Sequence, residues 1–213
     1  KEADQLGFGT AWVAEAHLSS QVQKSHSKPV IPHWKGEVGL NTDILLLSQK
    51  IFNETENLNT GSAVMNLLSN GGPIAAAERV AIFLSLHGLN PDEKRRVNIG
   101  FSAGRFDFMN RAYGIIPRRK WEEKAWMAVR GQIFSEAAEI FLRLLDGQTI
   151  SSDEIESRYL KRENFRSAED WEVTSSIAKE EGLLEKDQIP VEKRFVFEPL
   201  RIVPQNWRRD LLE

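Results

Sequence analysis

The chain has 213 residues, 41% of them apolar and 9% aromatic, enough to bury a core as one domain or at most two. Its 28 basic and 31 acidic residues are well mixed and sum to a net charge of −3. That balance argues against nucleic acid or an anionic membrane as a partner, since both recruit a one-sided basic field. No apolar run approaches the ~20 residues that span a bilayer, and the start lacks the pattern of a signal peptide, so a cytoplasmic location is expected. The absence of cysteine removes disulfides, thiolate nucleophiles and thiolate metal sites together.

In chain order, residues 1–6 ahead of Gly7 read as a closing helical turn with a glycine cap. Residues 11–14 (AWVA) then read as a short buried strand. The polar stretch 19–41, with Pro29, Pro32, His33 and Trp34, follows the C-terminal end of that strand, where loops of βα units build active sites. It is expected to be an active-site lid or substrate wall. A helix over 42–53, capped by Thr42, carries a surface of Ile44, Leu45, Leu46, Leu47 and Ile51. A second strand is expected over 58–65 and a second helix over 74–87, with Pro73 at its start and Gly88 at its end. Residues 96–102 (RVNIGFS) form the third strand expected. A long helix follows over 121–146, with Trp126, Val129, Ile133, Ala137, Ile140, Phe141 and Leu144 on one face and Gly147 as its stop. Residues 151–192 are charged and broken, and read as a solvated helical insertion with short helices near 153–159 and 168–180. Residues 195–203 look like a fourth strand. Strand and helix alternate, which predicts parallel βα units.

Several chemistries are excluded by spacing. His26, His33 and His87 lack zinc-like partners, and neither a phosphate-cradling lysine loop nor a GxSxG elbow is present. Gly71-Gly72-Pro73 reads as a plain turn before a helix.

An ordered set of stretches is more informative: GFGTAWVAEAHL at 7–18, TGSAV at 60–64, AERV at 77–80 and RVNIGFSAG at 96–104. In order and spacing they resemble the bacterial-luciferase-like flavin-dependent monooxygenases. The similarity runs on through 130–147, and RFVFEPLRIVP at 194–204 resembles the family segment leading into a fifth strand. The resemblance implies that 1–213 is one partial luciferase-like domain, an α/β (β/α)8 TIM barrel left incomplete in this chain. Such a barrel takes about 250 residues, so a preceding strand and roughly a hundred further residues are expected.

The resemblance also implies a site for reduced FMN. Glu15 would lie beside the flavin. His17, in Glu15-Ala16-His17, would be the candidate catalytic group that polarises or protonates a bound species, although the family's first histidine is replaced by Ala16. Ala63 and Val64 match the stretch that passes under the isoalloxazine ring, often with a cis peptide between them. Ser102 and Ala103 stand where one branch of the family has a reactive cysteine followed by arginine; the Ser102 hydroxyl is a candidate catalytic and flavin-contacting group. Arg130 matches the arginine that approaches the FMN phosphate, with Arg118 and Arg119 as competitors. Glu78 reads as structural or as part of a dimer interface.

The function so implied is a two-component monooxygenase: a separate flavin reductase supplies reduced FMN, and dioxygen oxidises a small organic substrate. A dimer is expected. Three alternatives remain open at this level: a deazaflavin-dependent oxidoreductase, a non-catalytic partner subunit that keeps the fold but loses active-site groups, and a barrel that binds no flavin.

Overall fold

The computed structural model describes residues 1–15, 18, 43–104 and 106–213. The expected wall at 19–41, the cap Thr42, Ala16 and His17 lie outside the described residues. After a short helix α1 (Glu2–Gln5), three parallel strands form one sheet in the order β1 (Thr10–Val13), β2 (Asn59–Asn66), β3 (Val97–Ser102). Helix α2 (Ile44–Phe52) lies between β1 and β2 in the chain, and α3 (Gly72–His87) between β2 and β3. Asp43 rather than Thr42 caps α2, its carboxylate accepting from the backbone N–H groups of Leu45 and Leu46 at 2.9 and 3.1 Å.

Beyond β3 come α4 (Asp107–Ala112), α5 (Lys120–Lys124) and the long α6 (Trp126–Leu145), which packs on α3. The single helix expected over 121–146 is thus broken at Ala125. The apolar stripe of α6 is buried as its periodicity predicts, with Val129, Ile133, Ala137, Ile140, Phe141 and Leu144 in the core. Val97, Ile99 and Phe101 of β3 face these helices, and Phe101 meets Phe141 edge-on at 5.4 Å. The alternate positions Asn98, Gly100 and Ser102 belong to the other face of the sheet.

The fold class departs from the expectation. Three parallel strands form a small sheet that cannot close, so the molecule is a small mixed α/β fold and not a (β/α)8 barrel. Two local features explain the difference. The segment 195–203, read as a fourth strand, carries Pro199 and precedes Pro204, and makes only an isolated antiparallel bridge between Ile150 and Leu200. The 151–192 insertion makes its own two-stranded antiparallel sheet, β4 (Arg158–Leu160) with β5 (Ile189–Val191), around α7 (Ala168–Glu180). The parallel neighbour of β3 is instead Leu212–Glu213: Leu212 bridges Val97, and Ile99 N–H donates to the Glu213 carbonyl at 2.7 Å.

The stripe of α6 has one anomaly that its periodicity does not announce. Glu136 is 2% exposed, and its carboxylate accepts the N–H groups of Arg194 and Phe195 at 3.1 Å. Burial pushes its carboxyl above the ordinary range, against the pull of those two donors. Beside it, Arg194 donates to Glu122 at 2.6 Å, both side chains being almost wholly buried. These charges fasten 194–195 to α5 and α6.

Candidate functional site

The strands are parallel, so their C-terminal ends share one edge of the sheet. There the ladder is irregular. Ser62 pairs with Ile99 and Met65 with Phe101, so Ala63 and Val64 together oppose Gly100 alone. One extra residue makes a bulge, which re-aims the strand and leaves both Ala63 and Val64 exposed. The Ala63–Val64 peptide is cis. Glycine is needed opposite: a Cβ on Gly100 would lie 2.6 Å from the Ser62 carbonyl oxygen. A rung pair further back, Trp12 lays its ring over Gly61, where a Cβ would come within 2.5 Å of it. Trp12, Gly61, Asn98, Gly100 and Ser102 thus mark the face of the sheet opposite the helices.

Glu15 lies just beyond β1, and its Oε2 accepts from the Ser62 hydroxyl at 3.1 Å. Ser62 is fully buried, so this bond ties the end of β1 to β2. Ser102 pairs with Asn66 on the last rung, and its Oγ accepts the Gly104 N–H at 3.1 Å. The carbonyl of Ala103 accepts from Asn110. The sheet therefore brings Ala63, Val64, Ser102 and Ala103 to adjoining strand ends, with Glu15 tied to the same edge.

Arg130 stands in another cluster. Its Nη1 is 3.5 Å from Asp107 Oδ1, and the side chain is 12% exposed. Asp107 opens α4, three residues after Gly104, and also accepts from Arg111 and, at 2.6 Å, from the indole N–H of Trp126. Burial opposes its ionisation, but the Trp126 and Arg111 hydrogen bonds and the Arg111 and Arg130 charges together hold its carboxyl below the ordinary range. Two guanidiniums against one carboxylate leave one net positive charge. Such a cluster can accept a phosphate group as a further partner, Arg111 being half exposed. Arg118, the competitor from sequence, reaches Glu192 and the Lys193 carbonyl beside the insertion.

Sequence reasoning does not find Asn66, Gly100, Asp107, Asn110 and Arg111, and it places Trp126 only on the apolar face of a helix. Gly100 alone left a signal, as a glycine inside an otherwise branched strand. A half-open cavity of about 500 Å³ lies beside Trp126, lined by Met127, Phe165, Arg166 and Asp170, and includes none of the strand-end residues. Among the described residues, Ala63 and Val64 leave the strand end exposed as a platform. Among the described residues no group of three or more His, Asp or Glu side chains could hold a metal ion, and no helix is long and apolar enough to cross a membrane.

No family model matches the chain, and no curated protein matches it. A solved structure does. The fold is similar to that of the monooxygenase RslO1 from Streptomyces bottropensis, with a TM-score of 0.52 and 15% identity. The match covers 98% of this chain but 42% of that one. At this identity the likeness is one of fold.

Proposed function

We propose that the chain is the oxygenase part of a flavin-dependent monooxygenase resembling the luciferase-like enzymes, using reduced FMN supplied by a separate reductase. The observation that carries the reading is the strand-end platform: the exposed Ala63 and Val64 bulge, made possible by Gly100, beside the Ser102 hydroxyl. A flat ring system can approach backbone closely only where side chains are small. The residues fit the cofactor in a second respect, since the Arg111, Arg130 and Asp107 cluster has a net positive charge to offer a phosphate. The structural neighbour RslO1 is a monooxygenase by name, and this and the ordered sequence stretches support the same reading.

Ala63 and Val64 would form the floor under the ring, Ser102 would donate to its polar edge, and Arg111 and Arg130 would hold the phosphate. When bound, reduced FMN would supply the electrons that activate dioxygen for transfer of one oxygen atom to the substrate. Glu15, fixed by Ser62, borders the platform on the β1 side.

A fluorescence titration with oxidised FMN tests the reading. Saturable binding is expected, weakened about tenfold in Arg111→Ala and Arg130→Ala, the size of one charge-assisted hydrogen bond. No saturable binding, or undiminished affinity in both variants, would refute it.

A further inference from the structure

Two asparagine amides lock together the loops that follow β2 and β3. Asn66 is 9% exposed and Asn110 is fully buried. Asn66 Nδ2 donates to Asn110 Oδ1 at 2.8 Å, and Asn66 Oδ1 accepts the Leu68 N–H at 2.9 Å. Asn110 Nδ2 donates to the Ala103 carbonyl at 2.7 Å, while the Leu67 N–H donates to the Ser102 carbonyl at 3.0 Å. Turning either amide over would set donor against donor or acceptor against acceptor, so the network admits one orientation of each. Gly104 closes the turn at a φ of +75°, and a Cβ there would lie 2.3 Å from Asn66 Nδ2. Its N–H donates to Ser102 Oγ.

One group in this network is left with an unused capacity. The Ser102 hydroxyl accepts from Gly104 but donates to no described residue. A hydroxyl has one hydrogen to give, and here it sits at the strand end with its acceptor side already engaged.

The geometry points to Asn110 as the positioning residue of the site: by holding Ala103 and Asn66 it fixes the 102–104 turn so that the Ser102 hydroxyl serves as a hydrogen-bond donor to a ligand on the strand-end platform. The identity of that ligand, FMN, rests on the function proposed above. Asn110 acts through Ser102 and does not itself touch the ligand. A buried amide used on both sides is costly to leave half satisfied, so a change at Asn110 should be felt at the turn.

The informative variant is Asn110→Asp. At about pH 8 its carboxylate would accept from Asn66 but confront the Ala103 carbonyl with no proton to give. On acidification the carboxylic acid can donate to Ala103 and still accept from Asn66, and burial moves that protonation above the ordinary aspartate range. Hydrogen exchange reads the turn without any ligand: Gly104 and Leu67 should exchange at least about tenfold faster than wild type at about pH 8, after correction for intrinsic rates, and recover by about pH 5.5. FMN affinity relative to wild type at the same pH should follow, about tenfold weaker at the higher pH and restored at the lower. Ser102→Ala should show a comparable loss at both pH values, and Asn110→Asp should add little to it.

Unchanged exchange in Asn110→Asp would overturn the positioning role. Faster exchange with unchanged FMN affinity would overturn its link to the ligand. A wild type that binds no FMN would overturn the flavin reading, and with it the ligand named here, whatever the exchange shows.

Discussion

Gly100 sets how closely β2 and β3 approach at the bulge, because its missing side chain makes room for the Ser62 carbonyl and the Val64 side chain. Gly100→Ala should therefore destabilise the fold by about 1–3 kcal/mol in denaturant titrations, the range for forcing a methyl into filled space against backbone. A loss below about 0.5 kcal/mol would show that the bulge relaxes freely. At this scale the sequence was legible where chemistry is carried by residue type. Ala63, Val64, Ser102 and Ala103, candidates on the sequence alone, meet at adjoining strand ends. Asn66 and Asn110 are not candidates there, since an asparagine 44 positions from its partner carries no local sign of the pairing. Arg130 is a candidate too, but its engagement with Asp107 depends on α4 and α6 packing, which no pattern in the chain reveals.

Between elements, one ionic cluster joins the C-terminal ends of α2 and α3 to the start of β3. Arg95 donates to Glu93 at 2.5 Å and to the carbonyls of Phe52 and Thr55 at 2.6 Å. The His87 ring stacks on Phe52 with centroids 4.4 Å apart, and its Nδ1 lies 3.9 Å from Glu93. The Arg95 hydrogen bonds, outweighing burial, hold the Glu93 carboxyl at about 2. A carboxyl depressed on folding contributes stability that is fully present above its unfolded value near 4.5 and is lost as pH falls toward 2. Glu93→Gln should thus cost up to about 3 kcal/mol near pH 7, and should flatten the acid limb of a stability profile between those two values. An unaltered acid limb would show that the pair contributes nothing to pH stability. The elements themselves were largely legible, because amphipathic spacing and branched strands are local signals. The break at Ala125 carries no such local signal, and the docking of Arg194 and Phe195 on Glu122 and Glu136 is a tertiary contact that no spacing announces.

For the molecule as a whole, the alternation of strand and helix correctly announced a parallel α/β sheet, and the inference from there to a closed barrel went too far. Strand count decides closure, and residues that read as a further strand are instead a proline-bearing loop, while the insertion builds a separate antiparallel pair. What the sheet does provide is one edge at which Glu15, the Ala63 and Val64 bulge and the Ser102 hydroxyl converge. Whether flavin sits on this edge is read by hydrogen exchange of the intact protein with and without reduced FMN under anaerobic conditions. Slower exchange is predicted at residues 61–68 and 100–112, with no change over the β4 and β5 sheet. Protection confined to the cavity beside Trp126 and Phe165, or none anywhere, would contradict the account.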